Sequence, residues 1–148
     1  MTNQLIKYLI HTDGGSRGNP GPAAIGVVIE KSGGGSKHEY GEFLGHATNN
    51  EAEYKAVIFA LKKVKQLAGK AEAGQAVVEV HADSELLCKQ LNGEYKVLDE
   101  KIQKLFLEIW NLRLDFGEVV FKHVPREENK EADRMVNVAL DKELNKLL

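Results

Sequence analysis

The chain has 148 residues, 43% of them apolar and 28% charged, with a formal net charge of -2. That composition fits an ordinary globular protein able to bury one core, expected as a single domain over residues 1–148, and its charge does not advertise a nucleic-acid binder. One cysteine, Cys88, excludes an internal disulfide framework. No stretch approaches a membrane span, and Leu5 to Ile10 is interrupted by Lys7 and too short for a signal core, so a cytoplasmic protein is expected.

Leu5 to Thr12, rich in apolar and β-branched residues, reads as the first strand. The Gly/Pro-dense run Gly14 to Pro22 reads as a loop. Ile25 to Glu30 follows as a second strand, Gly33 to Ser36 as a turn, and His38 to Leu44 as a third strand. Short turns between them imply an antiparallel meander. From Asn50 to Leu67 the apolar period becomes helical, and Gly69 to Gly74 closes that element. Ala76 to Ala82 is a fourth strand, Ser84 to Leu91 a short helix stopped by Asn92-Gly93, and Asp99 to Leu114 a longer helix. Val119 to Val124 is a fifth strand ended by Pro125, and Asn129 to Leu148 a final helix. The order βββαβααβα predicts an α/β fold: a five-stranded mixed sheet with helices on both faces.

Four acids stand where these elements begin or end: Asp13, Glu53, Asp83 and Asp133. Asp13 precedes a glycine loop whose exposed amides, with Arg17 and Asn19 nearby, suit phosphate or sugar; its competing role is a turn aspartate. Glu51 has a complete structural explanation, since Thr48 to Glu51 has capping-box spacing and Lys55 lies four residues on. Glu53 instead heads the stripe Ala56, Val57, Ala60, Leu61, Val64, where a carboxylate is costly unless paired or bound to metal. Asp83 sits before a helix that Ser84 alone can cap, which leaves the aspartate available. Asp133 has Val136, Leu140 and Leu144 on its face, and its competing role is to complement the helix dipole. Brought to one sheet edge, four such carboxylates could not all stay ionised without cations. Hard oxygen ligands select Mg²⁺ or Mn²⁺, and no zinc-type Cys/His spacing is present.

At these residues the chain resembles type 1 ribonuclease H. Four motifs carry the resemblance from Tyr8 to Leu140: Thr12-Asp13-Gly14-Gly15-Ser16 with Gly18-Asn19-Pro20-Gly21, Thr48-Asn49-Asn50-Glu51-Ala52-Glu53, Ala82-Asp83-Ser84, and Asn129-Lys130-Glu131-Ala132-Asp133. The resemblance implies a ribonuclease H-like fold and a sequence-independent endonuclease acting on the RNA strand of RNA–DNA hybrids. It implies two divalent ions and products with 5′-phosphate and 3′-hydroxyl ends. Asp13, Glu53, Asp83 and Asp133 would be the metal ligands. Gly14, Gly15, Ser16, Arg17, Asn19, Thr48, Asn49, Asn50 and Ser84 would contact substrate. Double-stranded RNA stands as an alternative substrate, a monomer is the expected state, and no membrane partner is implied.

Three departures from the family pattern matter. Many members carry a histidine in the loop before the last acid; here His123 and Arg126 are both candidates, and Arg126 fits better if the strand end is the reference. An arginine would act electrostatically, not as a base. The long basic insertion after the second helix is reduced to Asn92 to Asp99, with Lys96 as its basic residue. Glu85 replaces an amide that often follows the third acid.

Overall fold

The computed structural model describes residues 5–146. Strands β1 (Lys7–Ser16), β2 (Gly21–Lys31) and β3 (Lys37–Ala47) form the antiparallel meander. After helix α1 (Asn49–Ala68) and a one-turn helix α2 (Lys70–Ala73), strand β4 (Val77–Ala82) returns parallel to β1. Helices α3 (Glu85–Leu91) and α4 (Glu100–Leu112) lead to β5 (Glu118–His123), parallel to β4. Helix α5 (Lys130–Lys146) follows; the expected extension to Leu148 lies outside the described residues. The sheet order is β3-β2-β1-β4-β5, the five-stranded mixed sheet that the element order predicts.

Helices cover both faces, and glycines decide how closely. A Cβ on Gly14 would lie 2.3 Å from the Ala52 carbonyl carbon of α1. On the opposite face a Cβ on Gly26 would lie 2.0 Å from the Ala132 oxygen of α5, and one on Gly41 2.7 Å from the Met135 oxygen. These bare positions let helix backbone rest directly on strand backbone. The main core lies on the α1 side, where Val57, Leu61 and Val64 meet Ile10, Val27 and Val78, all fully buried. Each such side chain contributes about 1.5–3 kcal/mol by leaving water. Helix α4 packs against α1 through Ile102 and Ile109.

The helix starts follow from side-chain caps. Thr48 Oγ1 accepts from Glu51 N at 3.1 Å, Ser84 Oγ from Leu87 N at 3.1 Å, and Asp99 Oδ1 from Lys101 N at 2.8 Å. At α1 the Thr48 hydroxyl also donates to Glu51 Oε1 at 3.3 Å, so Glu51 is held by its cap. Ser84 does cap α3, which frees Asp83 from that task.

One expectation is corrected. Gly14 to Pro22 is not a continuous loop: β1 runs through Gly14 and Gly15 to Ser16, and β2 starts at Gly21, leaving Arg17 to Pro20 as the turn. Gly14 serves close helix approach within a strand rather than a turn. The Lys70–Ala73 turn of helix inside the expected Gly69–Gly74 break is a second, smaller difference.

Candidate metal and nucleic-acid site

Asp13 lies within β1, paired across the sheet with Gly26, rather than at the strand's end as the sequence reading has it. Glu53 is in the early turns of α1, Asp83 directly follows β4, and Asp133 stands in the first turn of α5. The missing side chain at Gly14 brings the Ala52–Glu53 backbone against β1, and so sets Glu53 beside Asp13. Carboxylate oxygens of Asp13, Glu53 and Asp83 lie within 4.8 Å of one another. Asp133 stands near enough for its carboxylate to raise the Asp13 carboxyl further. All four line one cleft of about 560 Å³, together with Gly14, Gly15, Ser16, Arg17, Asn49 and Arg126.

The crowding is visible in the protonation equilibria. Burial, then the Asp83 charge and contact with Asp133, push the Asp13 carboxyl from 3.8 up to about 8. Burial raises Glu53 to about 7, against a hydrogen bond from Ser84 that favours its ionised form. Asp83 is also raised by burial, and the Arg126 guanidinium opposes that rise. A cluster that holds protons for want of positive charge is one in which a cation can take their place. The donor set is all carboxylate oxygen, which fits a hard divalent ion such as Mg²⁺ or Mn²⁺.

Around the acids, the expected contact residues fall into two groups. Ser16, Asn19 and Asn49 interlock at the rim. Asn49 Oδ1 accepts from Ser16 N at 2.8 Å and Ser16 Oγ at 3.1 Å, and Asn19 Oδ1 accepts from Asn49 N at 3.0 Å. This joins the β1–β2 turn to the start of α1. Gly14, Gly15 and Arg17 also line the cleft. Asn19, Thr48, Asn50 and Ser84 are outside its lining: Asn19 joins it only through Asn49, Thr48 and Ser84 are occupied as caps, and Ser84 sits in a small recess with Asp13, Glu53 and Asp83. Arg126, in the 3₁₀ turn Arg126–Glu128, lines the cleft; His123, exposed at the end of β5, does not. Glu85 is drawn to Lys89 at 2.9 Å.

Asn129 has a part that its place in the fourth motif does not reveal. It is 1% exposed, its Nδ2 donates to Thr12 O at 2.8 Å, and its carbonyl accepts from Asp133 N at 3.1 Å. It therefore ties the start of α5 to the strand that carries Asp13. Gly26 was legible only as a glycine inside a strand, a sign of close backbone approach.

Residues 11–139 match the family model described as reverse transcriptase-like. Ribonuclease HI of Halobacterium salinarum is 41% identical over 129 residues, covering 87% of this chain and 62% of that protein. The bifunctional protein Rv2228c of Mycobacterium tuberculosis is 38% identical over 137 residues, covering 92% of this chain and 36% of that protein. The chain thus spans less than two thirds of these curated relatives. Among solved structures, LC11-RNase H1 in complex with RNA/DNA hybrid is 43% identical with a TM-score of 0.86, covering 93% of this chain and 99% of that one. RNase H1 from Halobacterium salinarum superposes with a TM-score of 0.84 at 38% identity, covering 92% and 98%.

Proposed function

The chain belongs to the type 1 ribonuclease H family, and from that premise we propose that it is a metal-dependent endonuclease that hydrolyses the RNA strand of RNA–DNA hybrids. The reading is of sequence-independent cleavage to 5′-phosphate and 3′-hydroxyl ends. The single observation that carries it is the meeting of Asp13, Glu53 and Asp83 within 4.8 Å at the floor of an open cleft.

Asp13, Glu53, Asp83 and Asp133 would hold Mg²⁺ or Mn²⁺. When bound, two such ions supply an activated water and charge neutralisation at the phosphate and leaving oxygen. The chain's own residues do the rest. The acids form a negatively charged floor that repels phosphate unless it is neutralised, which makes activity depend on the cation. Gly14 and Asn129 hold three of the elements that carry the acids together, through backbone contact and a buried hydrogen bond from the Asn129 amide to the Thr12 carbonyl. Arg126 brings a permanent positive charge close to Asp83, and as an arginine it acts on phosphate or departing product rather than as a base. The rim amides of Asn19 and Asn49, rigidified by Ser16, offer donors to phosphate or sugar oxygens without reading bases. Discrimination for RNA would come from the 2′-hydroxyl and the A-like duplex shape. Affinity resting on backbone contacts falls with salt. Because α3 and α4 are joined only by Asn92 to Asp99, hybrid affinity is expected below that of family members with the basic insertion.

A cleavage assay tests this. Hybrid, double-stranded RNA and double-stranded DNA, each with one labelled strand, are incubated with Mg²⁺, Mn²⁺ or EDTA. The expected result is cutting of the RNA strand of the hybrid that EDTA abolishes. Cleavage of double-stranded RNA in preference to the hybrid would make double-stranded RNA the substrate.

A further inference from the structure

Two cationic side chains are among the residues that line the cleft, Arg126 and Arg17. Arg126 faces the acids. Arg17 is placed differently. Its backbone is pinned, with Arg17 N donating to Pro22 O at 2.8 Å, and a Cβ on Gly21 would come within 2.2 Å of the Arg17 oxygen. From that fixed base the guanidinium reaches across to α5. Arg17 Nη2 lies 2.7 Å from Asp141 Oδ1 and 3.5 Å from Asn137 Oδ1.

Asp133, Asn137 and Asp141 follow one another at four-residue steps, so they share one side of α5. Asp133 and Asn137 line the cleft, and Asp141 stands two turns beyond Asp133, outside that lining but paired with Arg17, which belongs to it. The pair is solvent-facing, with 41% of the Arg17 side chain and 61% of the Asp141 side chain exposed. An exposed pair of this kind is weak and exchanges readily. A phosphodiester offers a guanidinium two non-bridging oxygens, a paired acceptor as a carboxylate is. Phosphate and Asp141 therefore compete for one set of donors.

We infer that Asp141 is an affinity-limiting residue: it masks Arg17 in the free protein and must be displaced by a backbone phosphate when nucleic acid enters the cleft. The inference rests on the hybrid-nuclease reading and extends it to a residue outside the motifs. Asn137, one turn nearer the acids and uncharged, accepts only weakly from Arg17 at 3.5 Å and does not oppose a phosphate.

The test is a double-mutant cycle read as equilibrium binding. Fluorescence anisotropy with a labelled RNA–DNA hybrid, in EDTA so that no cleavage occurs, gives Kd for the wild type, Asp141→Asn, Arg17→Ala and the double variant. Glu143→Gln, another acid neutralised on α5, controls for general charge. Asp141→Asn is expected to tighten binding about two- to fivefold, the range of an exposed ion pair. The same change in the Arg17→Ala background should leave Kd unaltered, and Glu143→Gln should tighten binding less than Asp141→Asn. Unchanged or weaker binding by Asp141→Asn, or an equal gain with and without Arg17, overturns the inference while leaving the nuclease reading intact. A wild-type chain that fails to bind hybrid in EDTA overturns the inference, and one that also fails to cleave hybrid with Mg²⁺ or Mn²⁺ overturns both.

Discussion

Asp13→Asn is expected to abolish hybrid cleavage and, without metal, to stabilise the fold above neutral pH. Asp13 shares a 4.8 Å neighbourhood with Glu53 and Asp83. At that separation each ionised pair is worth about 3 kcal/mol of repulsion at an effective dielectric near 20. The sign follows from the raised carboxyl. With a folded value of about 8 against an ordinary 3.8, the folded state keeps a proton that the unfolded chain releases across that interval. Stability of the metal-free protein therefore falls as pH rises from about 4 to about 8, and is lowest above that range. An asparagine carries no charge and escapes the loss. The cleft is open to water, which reduces the gain to about 2 kcal/mol, or roughly 4–8 °C in Tm for a chain of this size. Thermal unfolding followed by circular dichroism, in EDTA at pH values from below 4 up to 9, reads it directly. Asp13→Asn should exceed the wild type at pH 9 and match it below pH 4, and Mg²⁺ should raise the wild type far more than the variant. A variant less stable than wild type at pH 9 in EDTA, or a difference that ignores pH, would refute the repulsion and with it the convergence of the acids.

Glu53→Gln should lose turnover by at least about 10²-fold, since groups one shell further from a metal already cost 10–100-fold, whereas Glu51→Gln, held by its cap, should stay active; hybrid cleavage rates with the reverse ranking would exchange the two roles. Gly14→Ala places a methyl 2.3 Å from helix backbone and should cost about 3 kcal/mol or more, seen as a large fall in the denaturation midpoint; a midpoint unchanged by the alanine would mean that α1 does not rest on β1 there. Arg126→Ala should slow turnover more than His123→Ala, because Arg126 lines the cleft and His123 does not; steady-state rates at saturating hybrid decide between them. Thr48→Ala should lower stability by about 1 kcal/mol through loss of the α1 cap, measured by urea unfolding.

Element type and order were legible because the hydrophobic period changes cleanly from strand to helix. The same signal separated Glu51 from Glu53: one faces its cap, the other heads the stripe that Val57 and Leu61 bury. What escaped the sequence was the extent of β1 and β2. Glycine and proline announce turns, yet Gly14 and Gly15 are strand residues, and Gly14 is bare because a helix backbone lies on it. Such a contact joins residues about forty positions apart and leaves no local pattern. Distance in sequence also hid Asn129, whose amide reaches back to Thr12, and the Arg17–Asp141 pair, whose members have nothing in their own neighbourhoods to connect them. The four acids were singled out by their positions in elements; that Asp13, Glu53 and Asp83 form a tight trio with Asp133 beside it in one cleft needed coordinates.

The most direct measurement is anomalous diffraction from a crystal of the protein soaked in Mn²⁺. The account predicts density between the carboxylates of Asp13, Glu53 and Asp83, lost in Asp13→Asn. Manganese bound elsewhere with that position left vacant would contradict it.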